Sequence, residues 1–539
     1  MRHLLLALLL LPLLFAASSA PAQPTPLPRI ESRGGRHALI VDGRPFLMLG
    51  AQVNNSSNYP AMLRDVWPTI RTLHANTVEV PIAWEQIEPT EGRFDFSFLD
   101  TLLREAREND VRLVLLWFGT WKNTGASYAP EWVKTDTTRF PRMRTREGNA
   151  HYVLSPHGRA TLEADRNAFV HLMRHLRDAD PQHTVIMVQV ENETGSYRSP
   201  RDFSAAAQRL FDGPVPAALA RTRRAGSWSQ VFGPRADQAF NAWHVARFVD
   251  EIAAAGRAVL DLPMYANASL SDPFTENGAE NTASGGPNWN VIDVWKAAAP
   301  HLELVAPDIY NRDPAAYIAY LDHYNRPDNA LFVPETGNSA EYARFFWPTI
   351  GRGGIGFAPF GMDQTGYYNY PLGADRLDEA TVEAFAAPFR LFAPIARDWA
   401  RLAFEHPTWG FAKGRDGADQ STILGRWRVS AQFGLWQFGE REWTWIETRP
   451  NPNAARPVGG GVVLQLGPDE FLVAASDVRI RFVPAAADGG NMQWLSVEEG
   501  TFVGGVWQMR RRWNGDQSDY GLNFTGQPVL LRVRLGTYR

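Results

Sequence analysis

Two glutamates in this 539-residue chain each close a short apolar run, and a pair of carboxyl groups is what glycosidic bond cleavage requires. Glu193 follows the run at 188–190, and Glu335 follows the run at 331–334. Cleavage with retention needs a carboxylic acid that protonates the leaving oxygen and a carboxylate roughly 5–5.5 Å away that attacks the anomeric carbon. We therefore predict Glu193 as acid/base and Glu335 as nucleophile.

A third carboxyl group, that of Glu191, competes with Glu193 for the acid/base role. Side chains two positions apart on a strand share a face, so Glu191 would lie on the same side one layer deeper. We prefer Glu193 because it is nearer the strand end. If Asn192 and Glu193 both face a bound sugar, the strand must twist or bulge at its end, which is common beside active sites.

The elements that must position these residues alternate between strand and helix. Predicted helices at 60–73, 98–109, 161–177 and 237–255 lie between strands, which indicates parallel strands joined by crossover helices. The predicted strands are 46–50, 77–81, 112–117, 184–190, 263–266, 304–307, 331–333 and 354–358. Eight such units predict a closed α/β fold, the (β/α)8 TIM barrel. The glutamates, 142 positions apart (335 minus 193), fit the tips of its fourth and seventh strands.

The chain divides into four predicted regions. We assign a signal peptide to residues 1–22, a linker to 23–35, the catalytic barrel to 36–404 and a C-terminal β-sandwich domain to 405–539. Beyond about residue 408 the pattern changes to short alternating runs separated by turn residues, typical of an all-β unit. Its tryptophans are spread over more than a hundred residues, so we expect them to serve the core and the docking surface. The long connection at 195–240 predicts a lid or cleft wall.

The N-terminal run and the net charge indicate the cellular location of the protein and the kind of partner it binds. The apolar run at 4–17 is shorter than the roughly 20 residues of a spanning helix and precedes small residues, so we predict an exported, periplasmic or extracellular bacterial protein without membrane insertion after cleavage. A net charge of -4 gives no reason to expect nucleic acid as a partner. Neutral ligands suit this chain better.

We expect no metal and no cofactor. His171 and His175 are four apart on a predicted helix, but Leu172 stands where a zinc protease has its glutamate, and the chain has no cysteine. The G-x-G-x-x-G pattern at 351–356 precedes a strand instead of following one, which excludes a dinucleotide site of the usual kind.

Three stretches resemble a known family. The stretch at 77–96 is similar to the second-strand signature of the retaining glycosidases of clan A, and Asn192-Glu193 matches the pair at the tip of their fourth strand. Within the clan, 84–96, 129–132 and 189–195 resemble glycoside hydrolase family 35, the β-galactosidases, over roughly residues 36–401. The resemblance implies that Glu193 is the acid/base, that Asn192 holds the sugar 2-hydroxyl and that Tyr310 hydrogen-bonds the nucleophile.

The chain departs from that family at two places. Pro334-Glu335-Thr336-Gly337 replaces the usual Thr-Glu-aromatic context, and the run 120–123 replaces an alanine-glutamate sugar contact. The expected function is an exo-acting β-galactosidase that removes terminal galactose from plant-type oligo- or polysaccharides. Another clan A activity, an arabinosidase or an endo-β-glycanase, stays open, as does a non-catalytic carbohydrate-binding protein.

Further sugar contacts are expected at strand ends and in the adjoining loops. Aromatic rings there stack on the apolar faces of sugars, and amides hydrogen-bond to hydroxyls. The candidates are Trp84, Trp121, Phe360, Asn54 and Asn123.

Overall fold

The computed structural model describes residues 26–220, 225–276, 283–436 and 449–539. The predicted signal peptide, residues 1–22, lies outside them. In the described ranges, every helix is too short or too polar to cross a membrane.

Eight parallel strands close into a barrel, which confirms the predicted fold and all eight predicted strand positions. Nearly every strand residue is buried, as expected where helices cover a parallel sheet and its strands read as continuous apolar runs. The strands are β1 (Met48–Gln52), β2 (Thr77–Ala83), β3 (Arg112–Phe118), β4 (Val185–Val190), β5 (Met264–Ser269), β6 (Leu304–Ile309), β7 (Phe332–Thr336) and β8 (Gly356–Pro359). Each strand pairs with the next one along the chain, and the pairing of β8 with β1 closes the ring.

Amphipathic helices surround the strands. In Pro60–Leu73 the buried side chains recur every three or four residues, from Leu63 to Leu73, so one stripe faces the sheet. The larger helices are Pro60–Leu73, Ser97–Glu108, Arg159–Ala179, Ala236–Arg257, Pro314–Tyr324, Glu379–Phe392 and Ala396–Glu405. Shorter ones are Trp84–Ile87, Glu131–Thr135, Ala205–Asp212, Ala217–Ala220, Trp228–Phe232, Ile292–Ala298 and Phe346–Ile350.

Residues 23–35 are not simply a linker. Arg29–Arg33 is a strand that pairs antiparallel with Arg36–Val41, and Arg44–Phe46 completes a three-stranded sheet. The proline content of the leader hid this strand from the sequence pattern. The sheet packs beside the last barrel helix, where Arg397 donates to the Val41 carbonyl.

The long connection after β4 contains short helices and pairs with the connection that follows β5. Gly195–Ser196 pairs with Ser284–Gly285, the connection that follows β5. Asn241, on the helix Ala236–Arg257, donates to the Ser284 carbonyl at 2.7 Å. The two loops are therefore held together above the barrel end.

The C-terminal unit consists of two antiparallel sheets packed face to face, as predicted for a sandwich. The larger contains Thr408–Ala412, Gly460–Gly467, Glu470–Ser476, Asn491–Val503, Val506–Arg512 and Val529–Tyr538. The smaller contains Gln420–Leu424, Trp427–Phe433, Val478–Pro484 and Leu522–Phe524. Alternate side chains such as Trp427, Val429 and Ala431 fill the core between them, and Trp513 joins this core.

The sandwich docks on the helix Phe346–Ile350 of the barrel. Val462, Leu472 and Leu530 of the larger sheet belong to the same buried cluster as the barrel core. The backbones approach so closely that a Cβ at Gly351 would lie 2.2 Å from Gly410. The two units share one continuous apolar interior.

Candidate functional site

A cavity of about 1060 Å³ opens at the carboxyl ends of the barrel strands. This is where enzymes of this fold assemble their sites. Seven of the eight strands contribute to its wall, directly or through the loops that follow them. The lining includes Asn54, Asn55, Ser56, Lys122, Asn123, Tyr128, Glu193, Tyr197, Ser269, Leu270, Asp308, Tyr310, Asn311, Arg312, Glu335, Phe360, Thr365, Tyr367, Asn369 and Leu372.

The backbone turns out of extended conformation immediately after β4. Glu191 and Glu193 have φ of 65° and 43°, in the left-handed region that residues other than glycine seldom adopt. Strict alternation of side chains therefore ends at Val190, which is the predicted distortion of the strand end. The Glu193 amide donates to Asn267 on β5 at 2.9 Å, and its carbonyl accepts from Thr124 at 3.0 Å. These bonds hold the turned backbone in place.

Glu335 lies within β7, and two donors orient its carboxylate. Tyr310 donates its hydroxyl to Oε1 at 2.5 Å, and Gln52 of β1 donates to Oε2 at 3.1 Å. Burial, and then the charge of Glu335, raise the pKa of the Tyr310 phenol well above its usual value. The phenol therefore stays protonated and remains a donor.

The cavity floor brings three carboxyl groups together. One carboxylate oxygen from each of Glu193, Asp308 and Glu335 lies within 4.8 Å of the others. Burial, followed by the charge of Glu335, raises the pKa of Glu193 to about 7. Lys122, in the same wall, acts in the opposite direction on this pKa. Glu193 is therefore partly protonated at neutral pH.

Glu191 lies behind the cavity wall. Its carboxyl group accepts from the backbone amides of Thr120 at 3.2 Å and Trp121 at 2.7 Å. It also hydrogen-bonds to Asp165, and burial followed by the charge of Asp165 raises the pKa of Glu191 well above its ordinary value. Glu191 therefore anchors the loop after β3, and Glu193 is the one of the two that faces the cavity.

Most of the predicted contact residues meet at this cavity. Asn54, Asn123, Tyr310 and Phe360 line it together with the two glutamates. Asn54 is fixed by Asp363, which accepts from its backbone and side-chain nitrogens. Its side-chain oxygen has no protein partner in the described part of the chain.

Three predicted contact residues lie elsewhere. Trp84 is fully buried beneath the loops, and its indole donates to Glu88 at 2.9 Å. It is buried because the helix Trp84–Ile87 begins directly at the end of β2 and turns the ring into the core. Trp121 is fully buried against Phe248. Asn192 also lies below the cavity surface, and its side-chain amide has no partner among the described residues. Neither tryptophan is in position to stack on a ligand in the cavity.

Sequence reasoning missed several residues of the site, and two of them had a usable signal. Asp308 lies on β6 two positions before Tyr310, which directly follows the strand, so alternation predicts that both lie on one face. Gln52 has the same relation to Asn54. Lys122 comes from an irregular loop, where side-chain direction has no sequence periodicity. Its ammonium group donates to Asn123 at 2.5 Å.

Two family models match parts of the chain. Residues 60–248 match a model of glycoside hydrolase family 42, described as "Beta-galactosidase". Residues 385–525 match a domain of unknown function, DUF5597. The first match covers the barrel from the helix after β1 to the helix before β5, including Glu193. The second covers the end of the barrel and most of the sandwich.

One curated relative is named a β-galactosidase and another a β-galactosidase-like protein. The chain is 26% identical over 216 residues to a "Beta-galactosidase" of Xanthomonas manihotis, covering 38% of this chain and 33% of that protein. It is 28% identical over 185 residues to "Beta-galactosidase-1-like protein 3" of Homo sapiens, covering 32% of this chain and 26% of that protein. The chain thus spans about a third or less of each relative.

Among solved structures, the chain is similar to a β-galactosidase from Bacillus circulans sp. alkalophilus. The TM-score is 0.48 at 12% identity, over 66% of this chain and 57% of that one.

Proposed function

We propose that this chain is a retaining glycoside hydrolase of clan A, of the β-galactosidase type, with Glu193 as acid/base and Glu335 as nucleophile. The observation that carries the proposal is the approach of the two carboxyl groups, whose oxygens lie within 4.8 Å. This close approach agrees with the roughly 5–5.5 Å between the carboxyl groups of retaining enzymes and is shorter than the about 6.5–9.5 Å of inverting enzymes. The family match over the barrel supports the same reaction class.

The geometry supports a double displacement. Glu335 attacks the anomeric carbon and forms a glycosyl ester while the glycosidic bond breaks, and protonated Glu193 delivers its proton to the leaving oxygen. Tyr310 and Gln52 keep the attacking carboxylate in one orientation. Ester formation removes the charge of Glu335, one cause of the raised pKa of Glu193. Glu193 can then take a proton from water, whose oxygen attacks the anomeric carbon, so that its bond to the Glu335 oxygen breaks and the sugar is released.

Within this class we assign exo action on a terminal galactose. Strand ends or loops of seven of the eight strands line the cavity, and a cavity enclosed from this many sides supports exo action. The role of Asn192 as holder of the 2-hydroxyl stays a prediction from the resemblance, because its side chain is buried below the cavity surface, where the side-chain amide has no partner among the described residues. The family 35 assignment within clan A is also our proposal and rests on residues 84–96, 129–132 and 189–195, since the matching model is that of family 42.

The leaving group that we propose is a plant-type oligo- or polysaccharide outside the cell. Tyr367 lines the cavity and is 63% exposed, and Tyr370 in the same loop is 71% exposed. Exposed tyrosines at the mouth can stack on sugar rings beyond the one being cleaved. The apolar run at 4–17 supports export.

A panel of nitrophenyl glycosides tests the activity, with β-galactoside, β-glucoside, α-arabinoside and cellobioside compared on the purified protein. We expect kcat/KM to be highest on the β-galactoside. A 2-fluoro galactoside with a good leaving group should label Glu335, detected by peptide mass spectrometry. Glu335→Gln should not be labelled. No turnover of any glycoside by a folded protein would refute the enzyme, and preference for another sugar would correct the substrate.

A further inference from the structure

The third carboxyl group of the cavity, that of Asp308, has no part in the double displacement. It lies near the end of β6, is 3% exposed and lines the cavity. Asn267 donates to its Oδ2 at 2.6 Å. Its Oδ1 is buried and has no hydrogen-bond partner within the described ranges. Buried polar atoms are nearly always paired, so an unpaired oxygen in a cavity wall indicates a partner that arrives with a ligand.

Asp308 is better suited to donate a hydrogen bond than to carry a third negative charge. Burial, followed by the charges of Glu335 and Glu193, raises the pKa of Asp308 well above its usual value. Because Oδ2 accepts the N–H of Asn267, the proton belongs on Oδ1, the free oxygen. A neutral acid also leaves the attacking carboxylate without a second anion beside it.

We propose that Asp308 is a specificity-determining sugar contact whose Oδ1 hydrogen-bonds a ring hydroxyl of the glycosyl unit held between Glu193 and Glu335. This rests on the function proposed above. A ring hydroxyl at this place satisfies the unpaired oxygen without adding charge. A site built to hydrogen-bond a hydroxyl rejects the analogue that lacks it, because its own polar group is then left unpaired.

The test pairs deletion of the protein group with deletion of each substrate hydroxyl. The nitrophenyl glycoside that the panel selects and its monodeoxy analogues are assayed with wild type, Asp308→Ala and Asp308→Asn. We expect Asp308→Ala to lose about 10- to 100-fold in kcat/KM on the parent glycoside. On the deoxy analogue that lacks the contacted hydroxyl, Asp308→Ala should lower kcat/KM very little relative to wild type. Both deletions remove the same hydrogen bond, so their effects do not add. Asp308→Asn retains a donor and should stay within about 10-fold of wild type.

Additive losses on every deoxy analogue would overturn the proposal, since Asp308 would then serve only the shape of the site. If Asp308→Ala does not fold, Asp308→Asn carries the test. In that variant a loss above about 1000-fold that is equal on all analogues also overturns the proposal.

Two controls separate the alternatives. Labelling of Glu335 by the 2-fluoro glycoside in wild type shows that the proposed function stands, so failure of the Asp308 test can be told from failure of that function. The three clustered carboxyl groups also have oxygens close enough together to bind a cation. Wild-type rates are therefore measured after treatment with a chelator and with added Mg²⁺, Ca²⁺ or Mn²⁺. We expect no change, and a rate that requires metal would overturn the assignment of Asp308 to the sugar.

Discussion

At the scale of single residues, the two glutamates have different environments, and the proposed reaction needs that difference. Within the described ranges, no group donates a hydrogen bond to the carboxyl group of Glu193. The carboxylate of Glu335, by contrast, accepts hydrogen bonds from Tyr310 and Gln52. Environments that separate the protonation of two carboxyl groups are how one site provides both an acid and a nucleophile.

The first prediction concerns the pH profile. Glu193 must be protonated for the first step and its pKa is raised to about 7, so kcat/KM should fall as pH rises through about 7. Glu193→Gln should lack this limb when assayed on an activated aryl glycoside, which needs little acid assistance. A limb that persists unchanged in Glu193→Gln would assign it to another group.

The second prediction compares two neighbouring glutamates. Glu191→Gln should retain most activity, because the amide can donate to Asp165 and still accept from the Trp121 amide. Glu193→Gln should lose most activity on poor leaving groups, and Glu193→Ala should regain rate on aryl glycosides with azide, which attacks the glycosyl ester without a base. Azide rescue of Glu191→Ala in place of Glu193→Ala would reverse the assignment.

The raised pKa of Glu191 also predicts how the stability of the fold changes with pH. The pKa of Glu191 is raised above the ordinary 4.5, so the folded state holds a proton that the unfolded chain releases as pH rises beyond that value. Wild-type stability should therefore decline above about pH 4.5, at up to about 1.4 kcal/mol per pH unit, until the folded group ionises. Glu191→Gln should lack this contribution. Urea unfolding at pH 5 and pH 8 measures the difference, and equal slopes in both proteins would contradict it.

At the scale of elements, the end of β4 is positioned by the loops around it. Gly195 follows two residues after Glu193, has φ of 112° and pairs with Gly285 in the loop after β5. A Cβ at Gly195 would lie 2.3 Å from the Ser284 carbonyl oxygen. The backbone conformation at this short pairing therefore affects where Glu193 is placed.

The third prediction follows from that contact. Gly195→Ala should destabilise the fold by about 1–3 kcal/mol through strain and should lower kcat, because the displaced backbone carries Glu193 with it. Gly125→Ala, in the neighbouring cavity loop with only ordinary contacts around its Cβ, is the matched control and should change both quantities little. Thermal unfolding and kcat on one aryl glycoside measure the effects. Similar behaviour of the two variants would show that the pairing does not position Glu193.

At the scale of the whole molecule, the sandwich completes the barrel's apolar interior. Strand Thr408–Ala412 lies against the helix Phe346–Ile350, and Arg344 donates to the Pro457 carbonyl at 2.7 Å. This contact agrees with the expected structural role of the C-terminal unit, which stays a prediction until the unit is removed.

The fourth prediction is that a chain ending at Glu405 aggregates or melts at lower temperature, because it exposes the apolar surface that the sandwich covers. Gly410→Ala tests the same interface by adding a single methyl group, whose carbon would lie 2.2 Å from the Trp347 carbonyl oxygen. Gly467→Ala, in the same sheet but with open surroundings, is the control. A truncated barrel that stays soluble, melts as before and loses only polysaccharide affinity would identify the sandwich as a binding module instead.

The sequence by itself was sufficient for the barrel, its eight strands, the all-β C-terminal unit and the position of the two glutamates at the ends of the fourth and seventh strands. Each depends on local periodicity or on a strand boundary, which neighbouring residues largely determine. Only the tertiary structure decided which side chains reach the cavity. Trp84 and Trp121 follow strands as predicted, yet helix and loop packing turn them into the core. Asp308 and Lys122 meet Glu193 because the barrel closes. Loop paths, burial and the electrostatics of carboxyl groups distant in sequence have no local signature, so they follow from the fold alone.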